Sequence, residues 1–203
     1  MFAAVAIVAA PAPAAAQTDS TLSLGGGVAH YHPIDDDAHD STGFAIVYRF
    51  GRPEGWRPAV GFNWFTTRFD AQVGDTKAEL GDLRVRPIMG GYGYTMRRGR
   101  VSVSASAIGG VAFNSFEPST SARIAYADAL NRVLLDVKAA NSLVGRTEVV
   151  TWYDLNARFG LMAVVGYIAA RPNVTIITDV GSEKRRLTAD SLKFQVGVGY
   201  SIF

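Results

Sequence analysis

The chain contains no cysteine, which excludes a disulfide framework, thiol catalysis and a lipid-modified N-terminal cysteine. Lysine is scarce. Of 20 basic residues only Lys77, Lys138, Lys184 and Lys193 are lysines, so the usual coating of a soluble surface is missing. A net charge of +2 over 203 residues leaves no basic footprint for nucleic acid. Beyond the N-terminus no stretch approaches the roughly 18 uninterrupted apolar residues of a transmembrane helix. No glycine-rich loop joins a strand to a helix: Gly25 to Gly27 sit inside an alternating run, which excludes a phosphate cradle there.

Hydrophobic residues make up 48% of the chain and aromatics 11%, with 21 glycines and eight prolines. That is one domain's worth of chain, weighted toward turn-rich β structure. The opening "MFAAVAIVAAPAPAAAQTDS" is a short apolar run with an A-x-A site before Gln17. It reads as an export signal over residues 1–16, with the functional domain over 17–203.

From Thr21 onward apolar residues recur with period two, the signature of strands with unlike faces. Phe194, Val196, Val198, Tyr200 and Ile202 share one face of the last run, against Lys193, Gln195, Gly197, Gly199 and Ser201. "RVSVSASAIGGVAFNSF" and "DLNARFGLMAVVGY" alternate in the same way. Runs at 21–31, 43–50, 59–70, 82–96 and 173–181 complete a set of eight. In the 82–96 run the parity shifts around Pro87, from Leu83 and Val85 to Tyr92 and Tyr94, as a β-bulge would produce. Short connections ("GRPEGWRP", "RRGR", "ARPN") alternate with long ones ("HPIDDDAHDST", "AQVGDTKAE", residues 117–151, "SEKRRLTADS"), as in an up-and-down barrel. The third long loop contains "STSARIAYADALNRVLLDVKAA". It suggests a helix capped by Ser119, Thr120 or Ser121, with Ile124, Leu130, Leu134 and Val137 on one stripe.

Period two alone leaves open which face is inside. A soluble lipocalin-like barrel would bury the apolar set. Against that, the polar faces of two strands are mostly Gly, Ser and Ala, which suit a crowded lumen. Trp64, Tyr92, Tyr94, Trp152, Tyr153, Tyr167 and Tyr200 sit near strand ends, where membrane girdles belong. Lipid outside is the better reading.

The signal sequence, the eight amphipathic runs, the loop alternation and the terminal Phe203 resemble small outer-membrane barrels of the OmpA/OmpX/OmpW type. The resemblance covers nearly all of the exported chain and is architectural. It implies an all-β, eight-stranded antiparallel transmembrane barrel in the bacterial outer membrane, with a helix in the third extracellular loop. Its partners would be lipid, lipopolysaccharide and the barrel-assembly machinery, which reads Phe194, Val196, Val198, Tyr200, Ile202 and Phe203 as an insertion signal. A monomer without cofactor is expected.

With the apolar face outward, Asp82, Arg84, Arg86, Asp154, Arg158, Asp179, Lys193, Asn63, Asn156 and Gln195 are expected in the lumen, mostly its extracellular half. An eight-stranded barrel is only wide enough for side chains to fill it. These charges therefore read as an interlocking plug, or as a narrow polar path or anion site, because bases outnumber acids. All three histidines cluster in "AHYHPIDDDAHD". His30, His32, His39 and Asp36 are candidate ligands for a divalent metal. His30 also lies on the apolar parity near the outer rim, where some barrels of this size deacylate lipid A, although no motif marks a partner serine. Three function classes remain: a non-enzymatic surface barrel, a narrow channel and a rim lipid hydrolase.

Overall fold

The computed structural model describes residues 22–50, 54–74 and 76–202; the expected signal at 1–16 and Phe203 lie outside them. The elements are β1 (Leu22–Pro33), β2 (Ser41–Phe50), β3 (Gly55–Val73), β4 (Thr76–Arg98), β5 (Val101–Pro118), α1 (Thr120–Leu130), β6 (Leu134–Ala139), β7 (Ser142–Asp154), β8 (Phe159–Ala170), β9 (Asn173–Thr178), β10 (Gly181–Arg186) and β11 (Ser191–Ser201). Eight strands close into an antiparallel barrel in the order β1-β11-β8-β7-β5-β4-β3-β2. The final strand seals the barrel against the first, with Val28 opposite Val196. The remaining three strands form a separate sheet, β10-β9-β6.

Two strands differ from the sequence expectation, and the errors cancel in the count. β7 is a barrel strand inside the stretch that the sequence pattern assigns to the third loop. Residues 173–181 contribute β9 to the small sheet, not a seventh barrel strand. "ARPN" therefore lies on the long-loop side, and the short turn falls at 155–158. The helix is shorter than expected. Ser119 caps it, its Oγ accepting from the Ala122 N–H at 2.9 Å. Its buried residues are Ala122 and Tyr126, while Ile124 and Leu130 are exposed and Leu134 and Val137 belong to β6.

Along β4 the polarity of the two faces inverts. Below Pro87 the outward residues are Ile88, Tyr92, Tyr94 and Met96, all exposed. Above it the outward residues are Arg86, Arg84 and Asp82, while Leu83 and Val85 are buried inside. No bulge occurs at Pro87: Ile88 pairs with Phe62 and Val85 with Phe65 in one continuous register, and the shift comes higher, between Phe69 and Asp70. Because the ladder is continuous, the change is one of solvent. Lipid bathes the lower outer face and water the upper.

The upper part is a folded cap. Phe69, Ala71 and Val73 of β3, Leu80 of β4, Tyr126 of α1, Val137 of β6, Ile176 of β9 and Leu187 share one apolar core, which runs down into the lumen through Phe65, Val85, Met89 and Ile168. Burying aliphatic side chains of this kind contributes about 1.5–3 kcal/mol each.

Candidate functional site: the lumen and the outer rim

Alternation along β3, β7 and β11 sends Asn63, Arg146, Glu148, Lys193 and Gln195 into the mid-lumen, all buried. Arg146 crosses from β7 to β3, where its Nη1 donates to Asn63 Oδ1 at 2.6 Å. Its Nη2 lies 3.1 Å from Glu148 Oε1, and Lys193 Nζ donates to Glu148 Oε2 at 3.2 Å. Gln195 Nε2 donates to the Ala45 carbonyl at 3.1 Å. These bonds tie β2, β3, β7 and β11 together across the barrel. Two cations face one carboxylate. Among the described residues, Tyr31 OH, Asn63 Nδ2, Arg146 Nε and Gln195 Oε1 are buried without a hydrogen-bond partner. The Tyr31 ring stacks on Phe65 just above, centroids 4.2 Å apart. Asn63 and Lys193 are 0% exposed.

A second polar layer lies toward the short turns. Arg57 Nη2 donates to Thr95 Oγ1 at 2.5 Å and to Ser104 Oγ at 3.2 Å, and Arg97 pairs with Asp154. The Trp152 indole lies on a floor of glycines. A Cβ at Gly160 or Gly199 would collide with its ring, and one at Gly25 would come within 3.1 Å of it. Trp152 thus fills the lumen instead of joining the aromatic girdle.

Of the expected lumen residues, Lys193, Asn63 and Gln195 are in place. Asp154 faces inward, but at the short-turn end. Arg158 and Asn156 lie in the 155–158 turn, and Asp179 in the β9–β10 turn, where it accepts from Val133 N–H at 2.9 Å. Asp82, Arg84 and Arg86 point outward because the β4 faces invert: Arg84 pairs with Glu117 at 2.5 Å, Asp82 lies 3.5 Å from Arg68, and Arg86 covers the Trp64 ring. The sequence pattern does not single out Arg146, Glu148, Arg57 or Arg97. In "SLVGRTEVVTWY" the β-branched content and the i, i+2 charges on one parity were the available signal.

At the outer rim His32 Nδ1 lies 2.7 Å from Asp40 Oδ1 and His30 Nε2 lies 3.4 Å from Asp40 Oδ2. His39 turns away to Asp70 at 3.2 Å, and Asp36 joins neither pair. The 2.7 Å contact is direct and leaves no room for an ion between its atoms. Among the described residues no group of three histidine or acidic side chains is placed to hold a metal. The cap also fixes a rim carboxylate. Asp190 accepts from Tyr167 OH at 2.9 Å, from Ala170 N–H at 3.0 Å, and from Arg171 Nε and Nη2 at 3.0 and 2.7 Å. Burial pushes the Asp190 carboxyl up, but these donors outweigh it and hold it below its ordinary range.

Outside the lumen, Val28, Phe44, Trp64, Ile88, Val149, Phe159, Leu161, Val165, Phe194, Val196, Val198 and Tyr200 are exposed all round the barrel. On β3 this belt runs from Trp56 to Trp64, about the 9–11 residues a tilted strand needs to cross a bilayer. The chain is an outer-membrane β-barrel. One solved structure supports the fold. Outer membrane protein AlkL in lipid bilayers matches with a TM-score of 0.53 and 13% identity, covering 96% of each chain. E. coli Outer Membrane Protein W matches at 12% identity and TM-score 0.49, covering 90% of this chain and 98% of that one. Neisserial surface protein A matches at 15% identity and TM-score 0.49, with the same coverage. No family model matches the chain, and no curated protein does.

Proposed function

We propose that this barrel is a non-conducting, non-enzymatic monomer that presents its folded cap to the cell's surroundings. The observation that carries this reading is the double closure of the lumen, by the Arg146–Glu148–Lys193 group across its middle and by Trp152 below. A charged group held by bonds to several strands costs stability unless each charge is met. Such a cost is easier to account for in a seal than in an idle lining. The outward face of β11, with Ile202 just after it, is proposed as the insertion signal for the assembly machinery, since its residues from Phe194 to Tyr200 alternate onto the lipid side. Planar-bilayer recording tests the main reading. The purified protein is expected to give no stable current, and discrete channel openings would overturn it.

A second reading, a gated path for small anions, rests on the two cations set against one carboxylate. It requires openings that favour anions and lose that preference in Arg146→Gln.

A further inference from the structure

Where the cap meets the barrel, the outer wall carries a notch of about 740 Å³ between the start of β7, the end of β8 and the β9–β10 hairpin. Its lower wall is small and apolar. Gly145 and Ala169 form it beside Leu143, which is 82% exposed and continuous with the lipid belt. A Cβ at Gly145 would meet nothing within 4 Å, so the recess there is open space and not a close strand contact. The upper wall is cationic, formed by Arg171 and Arg186 with Asn173. Arg171 is held by the buried Asp190. Arg186 has no ion-pair partner among the described residues. The notch therefore has a net positive rim directly above an apolar recess, at the level where hydrocarbon gives way to headgroups.

We propose that this notch binds a phosphorylated lipid of the outer leaflet, the phosphate between Arg186 and Arg171 and an acyl chain along Gly145 and Ala169. Guanidinium groups meet phosphate oxygens through paired, charge-assisted hydrogen bonds. Basic pockets at this depth select anionic headgroups. Free phosphate satisfies only the rim. The apolar recess, joined to the belt, points to a lipid.

The test uses the full barrel in phosphatidylcholine nanodiscs doped with diphosphorylated lipid A, with retained lipid counted by native mass spectrometry. The wild type is expected to hold lipid A. Arg186→Gln, which removes the free cation, should weaken retention about tenfold or more. Gly145→Leu, which fills the recess without changing charge, should do the same. Arg158→Gln, at the opposite end of the barrel, should retain lipid A normally. Dephosphorylated lipid A should not be held, and inorganic phosphate should not displace the bound lipid. Each variant must keep its heat-dependent gel shift, which reports the folded barrel. Unchanged retention in either notch variant, an equal loss in Arg158→Gln, or retention of dephosphorylated lipid A overturns the proposal; so does displacement by phosphate. If a notch variant loses its gel shift, Ala169→Leu and Arg186→Glu decide by the same outcomes.

Discussion

The guanidinium carbon of Arg86 lies 4.8 Å above the centroid of the Trp64 ring. A cation over an indole face is an attractive pair, and this one marks the height at which the outer wall turns from lipid to water. Single-tryptophan variants test that height. Trp56 and Trp64 are expected to be quenched by brominated acyl chains, whereas Trp152 inside the lumen is not. The readout is fluorescence in vesicles of brominated phosphatidylcholine, and strong quenching of Trp152 would place it on the wrong face.

The glycine floor under Trp152 makes a steric prediction. Gly199→Ala has no room against the indole and should destabilise the barrel by about 1–3 kcal/mol. Trp152→Ala should relieve most of that penalty in the double variant. Urea unfolding midpoints in micelles supply the cycle.

Glu148 is the single carboxylate between Arg146 and Lys193. Glu148→Gln leaves both cations without their acid and should cost about 3–5 kcal/mol. Replacing the whole group, as Arg146→Met with Glu148→Leu and Lys193→Met, should recover most of the loss. Unfolding midpoints measure both, and an unchanged midpoint in Glu148→Gln would show that the group is not a closed network.

The mid-strand placement of that group explains what the sequence made legible. The alternation of β11, from Phe194 to Tyr200, and of β5 could be read directly, because one face is apolar and the other small. β7 could not. Its outward residues include Gly145, Thr147 and Thr151, and its inward ones include Val144, Val150 and Trp152. Neither face contrasts with the other, so period two is silent. β9 alternates well but serves the cap, because strand pattern reports two unlike faces and not which sheet they join. The charges of β4 fall on the expected strand but the opposite side, because the change from Leu83 and Val85 to Tyr92 and Tyr94 reads as a bulge at Pro87, whereas the register is continuous and it is the solvent outside that changes. Arg146 and Glu148 were lost together with their strand.

Acid should loosen the rim through Asp190. Its carboxyl is held below its ordinary value of 3.8, so the stabilisation is fully present above that pH. It is lost as pH falls through the depressed folded value. Amide exchange at Ala170, whose N–H donates to Asp190 Oδ1, is expected to accelerate below about pH 3.8 after correction for the intrinsic rate. Asp190→Asn should remove that pH dependence.

The cap core should melt apart from the belt. Val137→Ala, at a fully buried site of β6, is expected to cost about 1–3 kcal/mol within the cap. Protease would then cut the 119–141 segment faster, while the gel shift of the barrel stays unchanged.

The inversion along β4 also sets the protein's reach. From Arg86 to Thr76 the strand continues for about 33 Å, at about 3.3 Å per residue. With a tilt of about 40° that length stands about 25 Å above the lipid. The turn at Gly74 is therefore a mast, and anything settling on the cell at this point touches it well before it touches the bilayer.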